Sequence, residues 1–398
     1  MGSTGRIAEE IGELAVANGW DSYIAFGRYK AFGKNGNLSK SKIIKIGGDL
    51  SNYLHVLYTR ALDMHGLASD RATKKFIKKI EEIQPDLIHI HNLHGYYINY
   101  ELLFQYLNSK SIPVVWTLHD CWTFTGHCSH FSYINCEKWK TECNNCPQKN
   151  AYPASFLHDR SRMNFQNKKT AFNSLANITF IPVSYWLGDL HKRSFLSSYP
   201  MKVIQNGVDL NVFNISEKES LKAKYNITGD FIILGVANIW NATKGLSGFI
   251  ELNEVLGPSQ QIFLVGLSKK QIASLPQNMI GIERTENVAD LADLYSFADV
   301  YVNLTLEDTF PTTNIESLAC GTPVITYRTG GSIEAISSET GFIVSQGDIA
   351  GLKQSIEKIQ AGDKKYFQVH CRQRAIDFFN KNDRFMEYVN LYHEVLEH

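Results

Sequence analysis

Residues 307–326, EDTFPTTNIESLACGTPVIT, constrain this chain more tightly than any other stretch. They read as loop, short helix, turn and buried strand. Pro311 fixes the backbone in the loop Phe310-Pro311-Thr312-Thr313, and a short helix over 314–319 opens with its amides unpaired. Gly321 suits the left-handed cap after that helix. Pro323 stops continuation, and Val324-Ile325 begins a buried strand. The open amides and the positive end of the helix dipole predict an anion site at residues 311–315. Two carboxylates frame it, Asp308 ahead of the helix and Glu316 in its first turn. A carboxylate does not hold a phosphate, so the natural partners of these acids are hydroxyls.

A diphosphate between two polyols, a sugar on one side and a ribose on the other, describes a nucleotide-sugar. The stretch resembles the EX7E motif of retaining glycosyltransferases of the GT-B fold, the large family numbered four among glycosyltransferases. In that pattern an acid, seven spacers and a Glu precede a small-residue helix and a Gly-x-Pro-Val turn; here these are Asp308, TFPTTNI, Glu316 and SLACGTPV. The family usually has Glu at the first position. Asp308 aligns by its spacing from Glu316, and Glu307 just before it is the alternative acid. The resemblance implies that Asp308 holds sugar hydroxyls and Glu316 the ribose, with Pro311, Thr312, Thr313 and Asn314 around the diphosphate.

The length of 398 residues suggests two domains. A formal net charge of zero argues against a nucleic-acid partner bound by bulk charge. No run of eighteen apolar residues exists to span a membrane. MGSTGRIAEEIGE has no apolar core and no cleavage site, so no secretory signal is visible. The expectation is a cytoplasmic protein with its seven Cys reduced.

Gly2-Ser3-Thr4-Gly5 reads as the glycine-rich turn after the first strand of a Rossmann-type domain, and 6–18 as the amphipathic helix that follows, with Ile7, Ile11, Leu14 and Ala15 on one face. The resemblance places this turn beside the donor phosphates, which makes Gly5 and Arg6 donor-binding candidates. The strand expected before the turn is missing from the sequence, so a core position in the first sheet should be unfilled and the chain less stable than an extended form. A strand is expected at 23–26, after that helix, and a short one at 43–46 within a polar, Gly-rich stretch from 28 to 50. The helix over 71–83 carries Lys74, Lys75, Lys78 and Lys79 on one face. That face is either solvated or drawn to an anionic inner membrane leaflet, where lipid-linked acceptors would sit.

Strands at 86–91 and 113–118 are buried, and the second delivers His119 and Asp120 to its carboxyl end, the edge where open α/β sheets bind ligands. The family pattern, a strand running into Thr-x-His, puts the active-site His at His119. His91 and His94, on a neighbouring loop, are weaker candidates. Residues 121–150 form an insertion rich in Cys, His and aromatics. Cys143-Asn144-Asn145-Cys146-Pro147 is a CxxC knuckle, and Cys128 and Cys136 are near enough to complete a closed, structural zinc site. Cys121, His127 and His130 are possible substitutes, and free thiols packed as small apolar residues are the alternative. The insertion should shape the acceptor side.

The domain boundary is expected near residue 200, followed by Asn206-Gly207-Val208-Asp209, which resembles the family's Asn-Gly-x-Asp segment. The first strand of the second domain, 231–237, leads into a loop at Asn238 and then Lys244. The family carries an Arg and, five residues later, a Lys here, both reaching the diphosphate. Lys244 matches, but Ile239 stands where the Arg should be. Arg6, helix amides or Arg328 are left to share that task. Alternating strands and helices make a second doubly wound sheet.

The resulting expectation is an α/β protein of GT-B fold with two Rossmann-like domains: 1–200 for the acceptor, 201–375 for the donor, and 376–398 as a helix returning to the first. The implied activity is transfer of a hexosyl unit, with retention, from a UDP- or GDP-linked sugar to a saccharide or lipid-linked saccharide acceptor in bacterial surface polysaccharide synthesis. Such an enzyme would work in the cytoplasm, in possible peripheral contact with the inner membrane. No catalytic divalent metal is implied. The alternatives are a GT-B-fold nucleotide-sugar epimerase and a non-catalytic sugar-binding protein.

Overall fold

Helices and parallel strands alternate along the chain, and every strand pair is parallel, as crossover connections require. The structure, a computed structural model, describes residues 3–28, 39–216 and 220–397. Gly2 and most of the Gly-rich stretch around residue 35 lie outside the described residues. Two units are formed, one from residues up to Gln205 together with Phe385 onward, the other from Asn206–Arg384.

The first unit contains α1 (Ser3–Ala17), β1 (Tyr23–Phe26), β2 (Lys42–Lys45), α2 (Asp49–Leu62), α3 (Asp70–Ile83), β3 (Ile88–Ile90), α4 (Tyr100–Lys110), β4 (Val114–Leu118), α5 (Ser161–Phe172), β5 (Ile178–Pro182) and α6 (Tyr185–His191). Its strands form two sheets, β1-β2 and β3-β4-β5. Among the described residues β1 and β3 are each paired on one side only. Between them runs a cavity of about 800 Å³, lined by Ile24 and Phe26 of β1, Ile88 and Ile90 of β3, Ile11 of α1 and Ile80 of α3.

The expected glycine turn is corrected. Helix α1 already begins at Ser3, so Gly5 sits in its first turn and Arg6 is exposed on it. Ile7 and Ile11 of α1 pack with Val115, Ile181 and Ile204, and with Phe385, Tyr388 and Tyr392 from the end of the chain. Helix α2 went unread because its periodicity is inverted. Its buried residues are the polar Asn52, His55 and Thr59, while Leu50, Tyr53, Leu54, Leu57 and Tyr58 are exposed.

The second unit contains α7 (Ser220–Tyr225), β6 (Phe231–Val236), α8 (Leu246–Val255), β7 (Gln260–Val265), α9 (Lys269–Ala273), β8 (Met279–Ile282), α10 (Val288–Phe297), β9 (Val300–Asn303), α11 (Thr312–Ala319), β10 (Val324–Tyr327), β11 (Gly341–Val344), α12 (Ile349–Ala361) and α13 (Lys364–Phe379); α14 (Lys381–Leu396) ends the chain. The six strands lie in the order β11-β10-β9-β6-β7-β8. Ile233, Ile262, Leu264, Val300, Val302 and Ile325 build the sheet's share of the core. Strand β11, short and only partly apolar at Gly341-Phe342-Ile343-Val344, was not read from the sequence.

The expected boundaries at 200 and 376 move to 205/206 and 384/385. Asn206–Asp209 belongs with the second unit because Val208 bridges to Asn380 and Asp209 pairs with Lys381 at 2.8 Å. Helix α13 also stays there, with Arg372 donating to the carbonyls of Phe213 and Ala319 at 2.8 and 2.7 Å.

Candidate active site

The strand order of the second unit locates a site before any side chain is considered. From β6 the chain steps outward through β7 and β8, then returns to β9 on the other side of β6 and steps outward again through β10 and β11. The loops leaving β6 and β9 therefore diverge, which opens a crevice at the carboxyl edge of the sheet. Lys244 lies in the loop after β6, and Asp308 in the loop after β9. Lys244 Nζ donates to Asp308 Oδ2 at 2.9 Å and reaches Thr305 Oγ1 at 3.4 Å. Two glycines permit this closeness. Gly245 has φ +77, and a Cβ there would fall 2.3 Å from the carbonyl oxygen of Leu304. Gly330 has φ +46, and a Cβ there would fall 1.8 Å from the carbonyl oxygen of Asp308.

Helix α11 begins at Thr312, two residues earlier than the sequence suggests, with Pro311 as its N-cap. No side chain caps it, so the first-turn amides at Thr312 and Thr313 lack helical acceptors and remain suited to an anion. Asn314 plays another part. It is fully buried; it accepts from Asn303 Nδ2 at 2.8 Å and donates to Ser332 O at 2.9 Å. It thus ties α11 to the end of β9 and to the turn after β10, and it is a positioning residue. Asn303 and Ser332 carry no signal in the sequence that would have identified them.

Glu316 is buried in the second turn of α11, where Tyr295 donates its hydroxyl to Oε2 at 3.3 Å. Glu307, the alternative acid, has its Oε2 buried without a hydrogen-bond partner. In the loop after β6, Asn238 and Ile239 are exposed. The neighbouring Trp240 is buried and donates to the carbonyl of Val265 at 2.9 Å, which pins the loop to β7. Arg328 is exposed just past β10. The site therefore combines one ammonium, an open helix N-terminus and two or three carboxylates: a cradle for an anion with hydroxyl-bearing groups around it.

In the first unit, His119 and Asp120 follow β4, and His91 follows β3. His91 Nδ1 and His119 Nε2 are 2.9 Å apart. Burial pushes His119 down to about 4 and His91 well below its usual value, so both are neutral near pH 7 and one donates to the other. Burial alone would raise Asp120, but His94, 2.9 Å away, and the Trp122 amide hold it down at about 2. The sequence-predicted His91 and His94 are thus brought to His119 and Asp120. His89, not considered from the sequence, sits beneath them, bonded to Tyr392 and Thr117 at 2.7 Å each. Cys128, Cys136, Cys143 and Cys146 converge on one small cavity in the loop beyond.

Two family descriptions match the chain: Glycosyltransferase Family 4 over residues 5–212 and Glycosyl transferases group 1 over residues 230–361. Among curated relatives, a candidate colanic acid biosynthesis glycosyl transferase of Escherichia coli K12, WcaC, is 23% identical over 98% of this chain and 96% of its own length. The capsular polysaccharide biosynthesis glycosyltransferase CapM of Staphylococcus aureus is 24% identical over 39% of this chain and 43% of its own. Among solved structures, sucrose-phosphate synthase from Thermosynechococcus elongatus superposes with a TM-score of 0.72 at 19% identity, covering 100% of this chain and 94% of that one. Anabaena HepE in complex with UDP superposes with a TM-score of 0.68 at 15% identity, covering 97% and 96%. These likenesses give the fold as GT-B. With the first family description covering more than half of its residues, the chain belongs to glycosyltransferase family 4.

Proposed function

We propose that this glycosyltransferase moves a hexosyl unit, with retention of anomeric configuration, from a UDP- or GDP-linked sugar to a saccharide or lipid-linked saccharide in surface polysaccharide synthesis. The observation that carries the reading is the convergence of Lys244, Asp308 and the α11 N-terminus at the point where the strand order of the second unit reverses. A nucleotide-sugar presents there a diphosphate flanked by two polyols. Lys244 and the amides of Thr312 and Thr313 stabilise the charge that develops on the departing diphosphate. Asp308, or Glu307 beside it, takes sugar hydroxyls, and Glu316 takes the ribose. His119, neutral, contacts a sugar hydroxyl through a ring nitrogen. Gly5, Arg6 and Asn238 are exposed or half-exposed candidates for the donor. The reading draws support from HepE, whose solved complexes contain UDP and UDP-glucose, and from the names of WcaC and CapM.

A lipid-linked acceptor is favoured by two features of the first unit. Helix α2 exposes Leu50, Tyr53, Leu54 and Leu57, and α3 exposes Lys74, Lys75, Lys78 and Lys79. Apolar and basic faces of this kind suit an anionic membrane surface. Among the described residues no helix is long and apolar enough to cross a membrane, so contact would be peripheral, on the cytoplasmic face.

The test is nucleotide release from UDP-, GDP- and ADP-sugars with membrane extract as acceptor, for the chain and for an Asp308→Ala, Glu316→Ala double variant. Release of one nucleotide that needs extract and vanishes in the variant is expected, and NMR of the product should show the donor's anomeric configuration. A folded chain that releases nothing from any donor would overturn the reading. An isomerised nucleotide-sugar, formed without acceptor, would make the chain an epimerase instead.

A further inference from the structure

The loop between β4 and α5 has little regular structure, two short 3-10 turns at Trp122–Phe124 and Lys138–Lys140. Its order rests partly on Trp139, buried and stacked on Phe131 with ring centroids 5.0 Å apart. Cys128, Cys136, Cys143 and Cys146, drawn from separate bends of the loop, all line one cavity of about 10 Å³ beside these rings. That is room for a single water-sized sphere, not for an organic ligand. All four are free thiols.

Two further features suit a charged occupant in this loop. His127 lines the same cavity and is buried, with Nδ1 held by Asp63 Oδ1 at 2.6 Å and Nε2 lacking any hydrogen-bond partner. Lys168 is fully buried; its Nζ donates to the carbonyls of Trp122 and Thr125, at 2.6 and 3.0 Å, and lies 3.5 Å from the centre of the Trp122 ring. A buried amine with no carboxylate in hydrogen-bond reach and a buried imidazole nitrogen without a partner are each costly. An anionic centre in the adjoining loop would offset both.

We propose that Cys128, Cys136, Cys143 and Cys146 bind one zinc ion as a four-thiolate structural site. Four cysteines lining an ion-sized cavity offer the soft donors that tetrahedral zinc prefers, and such a site has no open position for chemistry. On binding, each thiol releases its proton, and the resulting zinc–thiolate centre carries two net negative charges. Lys168 lies in α5, next to the loop, and supplies a compensating charge. His127, held by Asp63, lies on the polar side of the cavity. The ion fastens a loop that starts directly after His119 and Asp120, and so fixes the surroundings of those residues. The inference does not depend on the transfer reaction.

The test uses the full chain, purified under reducing conditions without chelator. Elemental analysis should find about one zinc per chain. Stepwise modification by a mercurial, with released zinc read by a chromophoric chelator, should free the ion as the four loop thiols react. A Cys143→Ala, Cys146→Ala variant should lose the zinc, and chelation of the wild-type chain should lower Tm, with recovery on zinc addition. His127→Ala should keep the ion; its loss there would overturn the four-thiolate set. Folded wild-type protein that neither contains zinc nor takes it up, or whose four loop thiols prove oxidised in pairs, would overturn the site. The mercurial titration needs no variant, so a Cys variant that fails to fold leaves the proposal testable.

Discussion

Lys244 Nζ lies 2.9 Å from Asp308 Oδ2, joining the loops that leave β6 and β9 at the point where the strand order reverses. Both side chains are partly exposed, at 34% and 21%, and a pair of this kind contributes at most about 1 kcal/mol to stability. The proposed reading gives Lys244 its role at a bound diphosphate instead. Lys244→Ala should leave Tm nearly unchanged while lowering turnover by roughly 10²–10³, the effect of removing one donor from a developing charge. Unchanged turnover alongside normal donor affinity would remove Lys244 from the site.

Glu316 is buried against the Tyr295 hydroxyl, so its removal would cost packing whatever else it does. Glu316→Gln keeps the shape and an acceptor for Tyr295. If Glu316 holds the ribose, the change should raise KM for the donor about tenfold, the worth of one charge-assisted hydrogen bond. It should also erase discrimination against the 2′-deoxyribose donor. Retained discrimination in steady-state comparison of the two donors would count against this role.

Gly330 backs directly onto the Asp308 carbonyl, leaving no space for a Cβ. Gly330→Ala should force the turn after β10 away from the loop after β9, with a destabilisation of about 1–3 kcal/mol and a drop in turnover larger than the stability loss explains. Chemical denaturation and initial rates on the same preparation separate the two effects.

Acid should weaken the first unit. His55 is fully buried; its Nε2 accepts from the Gly66 amide at 3.1 Å and its Nδ1 lies 2.9 Å from Ser69 Oγ, so it is built to be neutral. Burial pushes it down from 6.5 to about 4, and pushes His89 to about 3. With folded values below unfolded ones, stability is fully present above pH 6.5. It is lost as pH falls from 6.5 towards 4, because only the unfolded chain takes up these protons. By pH 5 the loss from His55 alone should be about 1–2 kcal/mol. Urea midpoints at pH 7 and pH 5 measure it, and His55→Gln should flatten the slope; equal midpoints for the wild-type chain would contradict the argument.

Among the described residues, the cavity between β1 and β3 has an edge of each strand unpaired and a largely apolar lining. A five-residue β-branched extension fused ahead of Ser3 should insert there and raise Tm by several degrees. The same extension with a central proline should not, since proline cannot donate to a neighbouring strand. Equal melting temperatures for all three forms would show that the slot does not accept a strand.

The sequence by itself determined the α/β alternation, the two units and the motif residues. Their signals are local: buried β-branched runs at 231–236 and 300–303, the cap at Gly321, and the fixed spacing from Asp308 to Glu316. Tertiary structure alone decided which loops meet. Strand order brings Lys244 to Asp308 across 64 residues of chain and places His91 against His119 across 28. It turned Asn314 from an expected ligand into a buried tie between β9, α11 and the Ser332 turn. It also left α2 invisible, because that helix buries polar residues and exposes apolar ones, the reverse of the pattern by which helices are read. Local periodicity reports the environment each element meets on average, whereas a site is made by contacts between residues far apart in sequence, and these exist only once the sheet order is set.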